Sequence, residues 1–461
     1  MAGAGRLLLP AVLGGAALLL LLPEPVPRPR IPVLLVSLDT WRADRFREDG
    51  RTCPALERLA AEAVVFEDCL STSTNTATAH RSLFTGTHVH RHGHGPGHPV
   101  RSPWSLAGLL RAAGYETAGF TGGGYLDARL GFADGFDTWS SRNPRQRAGK
   151  ARRGFRGVLP QARTWWEKRR RQGRDEEPFF LFLHSYDIHC PYWPAEPWRS
   201  EWAGDYEGPL DLRSLCGPPA FQRFFEVHPP SEEELDHLGR MYDGGVAMTD
   251  DLLGGFLARL EAEGVLDRTL LIVTSDHGES LGEHRWVGHN HIWEEQLRVP
   301  LLIRFPGGRY GGRRITAPVE LSDVLPTVLD YLGLPVPEGV EGRSLMPWIE
   351  GREPVPGRRL RIASFEGRTA VRLDGRWKLV LEEGPGGVLS RRLYDLQEDP
   401  RESRDLAATP EGRKRVRELE AAWRRHREEA AAGDRKQRGV PLRLEPDPDL
   451  AQELAELGYG G

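Results

Sequence analysis

Three long, almost wholly apolar runs, each ending at a side chain that can bind or react, constrain this chain's fold most strongly. They are Val33–Leu38, Phe179–Leu183 and Leu270–Ser275. Runs of this kind are typical of strands buried on both faces of a parallel sheet. Helical patterns follow them over residues 54–63, 104–113, 234–263 and 321–332. The sequence therefore predicts an α/β fold with a large mixed, mostly parallel sheet sandwiched by helices.

The 461 residues are enough for one large α/β domain and a smaller one. The pattern changes near residue 351, where short alternating strands and an Asp374-Gly375 turn precede a charged helix over 411–431. We predict a main domain over 31–350, a small antiparallel α+β subdomain over 351–435 and a tail over 436–461. The long helix over 234–263 is expected to break lightly at Gly244-Gly245.

The N-terminal 30 residues predict export. Leu7–Leu22 is almost wholly apolar, follows Arg6 and precedes a proline-rich linker. This pattern is typical of a signal peptide or of an uncleaved membrane anchor, although a full span needs roughly 20 residues. Four cysteines are too few for a disulfide framework, and in an exported chain either Cys53–Cys69 or Cys190–Cys216 could pair.

The overall charge gives no reason to expect a nucleic-acid partner. Lysine and arginine total 62 and acidic residues 66, for a net charge of −4. The basic stretch over 142–174 is interpreted as solvated surface, with helix around 164–171.

A hydroxyl-rich stretch over 71–86, STSTNTATAHRSLFTG, lies between an apolar strand pattern and a helical one. A helix start presents unpaired backbone N–H groups and the positive end of the helix dipole, which suits an oxyanion. A hydroxyl at that point is either an N-cap or a nucleophile, and the stretch alone leaves both open.

Carboxylates and imidazoles cluster where the predicted strands end. Asp39 follows the first strand, Asp276-His277 follows the third, and His289 and His291 come soon after. Ligands of open α/β sheets bind beyond the carboxyl ends of strands. Mixed oxygen and nitrogen donors are typical of a transition-metal site. Asp187 and His189, two residues apart after the second strand, would point the same way in an extended chain.

Together these motifs resemble the sulfatase family within the alkaline phosphatase superfamily. The resemblance covers roughly residues 31–406 in family order. It rests on LLVSLDTWRADR, TATAHRSLFTGTHVHRHGHG, FFLFLHSYDIHCPYWP, TLLIVTSDHGESLGEH, EEQLRVPLLIRFPG, ELSDVLPTVLDYLGL, EGRSLMPWIEG and LYDLQEDPRESRDLA. It implies an alkaline phosphatase-like sheet and an anionic ester substrate.

One departure from the family pattern concerns the nucleophile. The family's Cys/Ser-x-Pro-x-Arg motif reads Thr76-Ala77-Thr78-Ala79-His80 here, ten residues before Gly86. Sulfatases oxidise cysteine or serine at that position to formylglycine, and threonine cannot yield that aldehyde. The second aspartate of the family's usual pair is Thr40.

The resemblance implies a divalent-metal site made by Asp39, Thr76, Asp276 and His277. This set looks like that of the superfamily's phosphodiesterases, phosphomutases and phosphoethanolamine transferases. His277 stands where many sulfatases have a neutral oxygen ligand to calcium, so zinc or manganese is favoured, with calcium as the alternative. Further residues would hold a second ion: Asp187, His189 and His291.

The resulting hypothesis is a metal-dependent ester hydrolase in which Thr76 attacks phosphorus or, less favoured, sulfur. His80, His189 and His289 would bind the substrate's non-bridging oxygens or protonate the leaving group. Three alternatives stay open: a sulfate esterase without formylglycine, a phospho-group transferase, and an inactive exported binding protein.

Overall fold

The computed structural model of the chain describes residues 31–46, 50–95, 99–141, 154–352, 360–432 and 440–441, with three isolated positions near the C-terminus. The strands in chain order are β1 Val33–Leu38, β2 Val64–Leu70, β3 Val100–Arg101, β4 Glu116–Phe120, β5 Thr138–Ser140, β6 Phe179–Ser185, β7 Leu270–Thr274, β8 Ser280–Leu281, β9 Val287–Gly288, β10 Arg298–Arg304, β11 Arg313–Ile315, β12 Val319–Glu320, β13 Leu360–Phe365, β14 Arg368–Leu373, β15 Trp377–Gly384, β16 Gly387–Asp395 and β17 Val440–Pro441.

The α-helices are α1 Pro54–Ala61, α2 Thr76–Thr85, α3 Val89–His92, α4 Leu106–Ala112, α5 Phe155–Arg171, α6 Trp198–Ala203, α7 Pro218–Val227, α8 Glu232–Ala262, α9 Glu294–Leu297, α10 Val324–Leu332, α11 Met346–Ile349 and α12 Pro410–Ala432. The predicted N-terminal signal or anchor lies outside the described residues, as does much of the predicted tail. Within the residues that the structure describes, no helix has the length and apolar character needed to cross a bilayer.

The main sheet confirms the predicted fold class. Its nine strands run in the order β11-β2-β10-β7-β1-β6-β4-β5, with β12 beside β2. Strand β1 pairs in parallel with both β6 and β7, whereas β10 is antiparallel to β2 and to β7. The sheet is therefore mixed and mostly parallel. The carboxyl ends of β1, β6 and β7 share one edge.

Strand β1 is the centre of the core because both of its faces are covered. Leu34 and Val36 pack in the cluster that includes Trp165 of α5 and residues of α8. Val33 and Leu35 pack in a second cluster with residues of α2 and α10. All residues of β1, β6 and β7 are buried, which explains why these strands read as continuous apolar runs.

The predicted break in the long helix is wrong, because α8 runs unbroken through Gly244 and Gly245. A β-carbon on Gly244 would lie 3.0 Å from Trp202 Cβ, and one on Gly245 would lie 3.3 Å from the Asp187 carbonyl oxygen. The glycines therefore serve close packing of α8 against the segment after β6. The helix continues through both residues, although each glycine costs roughly 1 kcal/mol relative to alanine in a helix.

The C-terminal strands form a separate antiparallel sheet in the order β13-β14-β15-β16, as the sequence predicts. Asp374 and Gly375, between β14 and β15, both adopt positive φ of 59° and 75°, which Asp-Gly tolerates. Helix α12 covers one face through Leu419 and Trp423. In addition, β17 pairs with β3, so residues 440–441 of the predicted tail return to the main domain.

The C-terminal sheet and the main domain share buried polar and apolar contacts. Lys378 Nζ of β15 is fully buried and lies 2.7 Å from a Glu402 carboxylate oxygen and 3.1 Å from one of Glu294. Around this triad, an apolar cluster joins Leu70, Ile292 and Leu297 of the main domain to side chains of β13–β16. The two parts therefore have one continuous interior at this point.

We expect Lys378→Met to destabilise the fold strongly, by about 3–5 kcal/mol, because it leaves the buried Glu402 carboxylate without its paired cation. Glu294 keeps its ion pair with Arg372 at 2.9 Å. The measurement is the free energy of unfolding from denaturant titration. The control is Lys414→Met, at an exposed position of α12, which should change the free energy by less than about 0.5 kcal/mol. Equal effects of the two substitutions would contradict the prediction.

One of the two alternative cysteine pairs forms. Cys190 and Cys216 are joined by a disulfide, whereas Cys53 and Cys69 are buried thiols. Cys190 comes directly after His189, so the disulfide ties the segment beyond β6 to the loop before α7.

Candidate active site

Helix α2 begins at the sheet edge where β1 and β7 end, and Thr76 is its first residue. Asn75 is the N-cap and accepts hydrogen bonds from the N–H and the hydroxyl of Thr78. The Thr76 hydroxyl is therefore not needed as a cap. It lies 3.5 Å from Asp39 Oδ2 and 3.4 Å from His277 Nε2. Of the two interpretations of this helix start, the capping role belongs to Asn75.

Asp39, Asp276 and His277 form a fully buried group that could hold a metal ion. One donor atom of each lies within 4.8 Å of those of the other two. Among the described residues, Oδ1 of Asp39 and Oδ2 of Asp276 are buried without a hydrogen-bond partner. His277 Nδ1 lies 3.0 Å from the Gly278 carbonyl oxygen, which can only accept, so Nε2 carries the lone pair. That nitrogen is 3.5 Å from Asp276 Oδ2. Two orphaned carboxylate oxygens and an imidazole lone pair fit a divalent cation.

Electrostatics agree with this assignment. Burial, together with repulsion from Asp276 and Glu279, raises the pKa of Asp39 well above its usual range. Burial also raises the pKa of Asp276. Burial lowers the pKa of His277 to about 3, so its ring is neutral, which is the form that ligates metals. Two buried carboxylates at this distance need a cation to remain ionised together.

Two further buried imidazoles, those of His80 and His184, lie next to Thr76 and Asp39. His80 Nδ1 donates to the Thr76 carbonyl oxygen at 2.8 Å, and its Nε2 lies 3.0 Å from Ser37 Oγ. Both nitrogens of His80 are thus engaged, and the ring supports the first turn of α2. His184 Nε2 lies 3.7 Å from Asp39 Oδ2. Burial lowers the pKa of both imidazoles.

His189 and His289 form a second imidazole pair next to His277. Their Nε2 atoms are 3.2 Å apart, and the rings of His277 and His289 have centroids 4.3 Å apart. His189 Nδ1 faces the Cys190 carbonyl oxygen and His289 Nδ1 the Thr74 carbonyl oxygen, each at 2.8 Å. Since each Nδ1 must donate, the two Nε2 lone pairs face each other and would form a hydrogen bond only on sharing one additional proton. Burial and the neighbouring His277 disfavour that proton, because they lower the pKa of His289 well below its usual range.

Two family models match this chain. The one described as Sulfatase matches residues 32–334, and the one described as N-sulphoglucosamine sulphohydrolase, C-terminal, matches residues 282–429. The first match covers well over half of the chain and contains every site residue named above. The chain belongs to the sulfatase family.

The proteins that this sulfatase-family chain is similar to are named for different ester chemistries. The multifunctional alkaline phosphatase superfamily protein PehA of Trinickia caryophylli is 28% identical, with 82% of this chain and 91% of that protein covered. An ulvan-active sulfatase of Formosa agariphila is 27% identical, with 84% and 79% covered. The crystal structure of the phosphonate monoester hydrolase of Agrobacterium radiobacter superposes with a TM-score of 0.71 at 23% identity, covering 90% of this chain and 100% of that one. The last likeness shows the shared fold.

The structure does not bring Asp187 and His291 to the donor group. The chain bends after Ser185 instead of staying extended. Asp187 therefore turns towards the start of α5, where its Oδ2 accepts from the Phe155 N–H and the Ser185 hydroxyl, each at 2.7 Å. The His291 ring stacks on Trp293 at a centroid distance of 4.0 Å.

Sequence reasoning did not single out His184 in this sulfatase-family site. Its one available signal was register: His184 is next to last in β6 and pairs with Ser37 of β1, two residues before Asp39. That pairing becomes visible only when the strand order is known.

Proposed function

We propose that this sulfatase-family hydrolase cleaves anionic esters with Thr76 as its nucleophile and that phosphoesters are its preferred substrates. The observation that supports the proposal most directly is the position of the Thr76 hydroxyl. It stands at a helix start, is relieved of capping by Asn75, and lies between Asp39 and His277.

Asp39, Asp276 and His277 would hold one divalent cation, for which the imidazole favours zinc or manganese over calcium. When bound, that ion supplies a Lewis acid that lowers the pKa of a hydroxyl beside it and polarises the ester oxygen. Asp187 and His291 have no part in this proposal because they lie elsewhere.

The chain's own residues supply the remaining chemistry. The Thr76 hydroxyl gives its proton to Asp39 Oδ2, 3.5 Å away, and Oγ1 bonds to phosphorus as the bond to the leaving alcohol breaks. Backbone N–H groups at the start of α2, other than that of Thr78, which Asn75 caps, would bind non-bridging oxygens. His80 positions Thr76 through its carbonyl oxygen. Water then cleaves the Thr76 ester and restores the hydroxyl.

The His189–His289 pair, when it carries the shared proton, is proposed to give it to the leaving oxygen. The pair is buried and adjoins His277, and both rings are oriented by backbone carbonyls. Such fixed orientation is what a general acid requires.

We expect His289→Ala to lower kcat by about 10²-fold for phenyl phosphate. The loss should be smaller for p-nitrophenyl phosphate, whose leaving group needs little protonation. The measurement is kcat for both esters in the variant and the unaltered chain. Equal losses for the two esters would assign His289 to substrate positioning.

A substrate panel tests the proposed function. Metal content of the purified protein is measured alongside hydrolysis of p-nitrophenyl phosphate, bis-p-nitrophenyl phosphate and p-nitrophenyl sulfate. We expect zinc or manganese and a kcat/KM at least about tenfold higher for a phosphoester than for the sulfate. That ratio corresponds to about 1.4 kcal/mol of transition-state binding.

A sulfate esterase without formylglycine is the second candidate, and the name of the ulvan-active relative favours it. Turnover of p-nitrophenyl sulfate without turnover of either phosphoester would select this candidate. We also propose that the protein is exported. The Cys190–Cys216 disulfide supports this, since structural disulfides persist mainly in oxidising compartments.

A further inference from the structure

A histidine-rich stretch, Thr87–His94, follows helix α2 and takes no part in the proposed hydrolysis. Short tracts of this composition often bind metals. His92 and His94 form hydrogen bonds within this part of the chain, to Ser82 and Val100. His88 and His90 instead both face the carboxylate of Glu341.

Three imidazoles lie close to the Glu341 carboxylate. His90 Nε2 lies 3.1 Å and His426 Nε2 3.3 Å from Oε1, and His88 Nδ1 lies 3.6 Å from Oε2. His426 belongs to α12, whereas His88 and His90 lie at α3. The three rings have centroids 4.8–5.7 Å apart.

Two of the nitrogens of these three rings have no hydrogen-bond partner within the part of the chain that the structure describes. His88 is 3% exposed, and its Nδ1 is buried without one. Nε2 of His426 is also without one, because its approach to Glu341 lacks hydrogen-bond geometry. Buried polar atoms of this kind are rare and costly unless an ion or a water satisfies them.

The orientation of His88 is that of a metal ligand. Its Nε2 lies 3.2 Å from a Glu320 carboxylate oxygen, which leaves Nδ1 on the side of Glu341 and His426. A carboxylate that accepts from the outer nitrogen of a histidine is a frequent companion of metal-bound imidazole, since it fixes the ring and its tautomer.

The donor distances also fit a tetrahedral ion. One donor atom each from His88, Glu341 and His426 lies within 4.8 Å of the other two. Ligands at about 2.0–2.1 Å from zinc stand about 3.3–3.4 Å apart in a tetrahedron. His426 Nε2 lies 3.3 Å from Oε1 of Glu341, and His88 Nδ1 lies 3.6 Å from its Oε2. A cavity of about 300 Å³ adjoins them.

The geometry points to a zinc site formed by His88 Nδ1, His426 Nε2 and the Glu341 carboxylate. The site lies beyond the far end of α2 from Thr76. That helix has ten residues and so is about 15 Å long. The ion is therefore separate from the one proposed at Asp39. It fastens α12 of the C-terminal subdomain to the main domain.

The test is a zinc count on the purified full-length chain, stripped with a chelator and then equilibrated with zinc alone. We expect Glu341→Gln and His426→Ala each to bind one equivalent less than the unaltered chain. His228→Ala, which removes another histidine paired with a glutamate, should bind the same amount. Combined with Asp276→Asn, each substitution should again remove one equivalent.

Cobalt provides a second readout that does not depend on hydrolysis. Co²⁺ in the Asp276→Asn chain should give the intense visible absorption of a tetrahedral nitrogen and oxygen site, and His426→Ala should abolish it. An unchanged zinc count in both Glu341→Gln and His426→Ala, with the cobalt spectrum retained, would overturn the assignment. So would an Asp276→Asn chain that folds and binds no zinc.

Discussion

Replacing Thr76 by alanine is expected to reduce hydrolysis of every ester by at least about 10³-fold, because the variant lacks the attacking oxygen. The fold should change little, since Asn75 caps α2 and Thr76 contributes no capping bond. Asp39, Asp276 and His277 remain, so metal content should also be kept. The measurements are kcat/KM, thermal unfolding and metal stoichiometry of the same preparation.

Two matched variants sharpen this result. Thr76→Ser keeps a hydroxyl and should keep activity within about 10²-fold of the unaltered chain. Thr78→Ala removes a buried hydroxyl two residues along the same helix, bonded to Asn75, and should leave turnover nearly unchanged. Undiminished hydrolysis by the Thr76→Ala variant would contradict the assignment of Thr76 as the nucleophile.

Asp276→Asn is expected to abolish both metal binding at the catalytic group and turnover, because one of three ligands loses its charge. The fold should survive, since an asparagine Oδ1 can still accept from the Thr40 and His277 N–H groups, at 3.3 and 2.9 Å. The measurements are metal content and kcat/KM. We expect a loss of at least about 10²-fold in metal affinity or activity.

Although Asp276→Asn is expected to impair metal binding and turnover, it should stabilise the metal-free protein. The pKa of Asp39 is raised in the fold, so this carboxyl contributes stability below its unfolded pKa and loses that contribution as pH rises through the folded value. Removing the charge of Asp276 relieves part of that loss. The chelated variant should therefore unfold at a higher temperature than the chelated unaltered chain near pH 7.

Asp187→Asn is the matched control for both measurements. Its carboxylate is half-buried and, among the residues that the structure describes, accepts from Phe155 and Ser185. Metal content and kcat/KM should stay within about tenfold of the unaltered chain. A loss of one metal equivalent in this variant would instead place Asp187 in a second metal site.

The candidate site residues at the ends of buried strands could be predicted from the sequence. Asp39 and Asp276 each follow an apolar run, and parallel neighbours end at one edge, so their proximity follows from the strand pattern alone. Thr76 joins them because the strand before it, β2, ends at the same edge. The fold class was predictable for the same reason, since strands that are buried on both faces consist almost entirely of apolar residues.

Other features depend on contacts that no local pattern records. Asp187 turns away because the chain bends after β6, and residues two apart share a face only while the strand continues. His80 lies under Thr76 since α2 directs that position inward, which the helix pattern alone does not specify. Gly244 and Gly245 appeared to be helix breakers, but their role is set by the packing of Trp202 and the segment after β6.

The buried triad of Glu294, Lys378 and Glu402 limits how this protein can evolve by exchange of parts. Residue 351 looks like a natural crossover point, because the sequence pattern changes there. A chimera joined at that point with a relative lacking basic residues at the Arg372 and Lys378 positions would inherit Glu294 and its apolar surroundings without the paired cations. Segments around α9 and β15 must therefore be inherited together, although more than 80 residues separate Glu294 from Lys378.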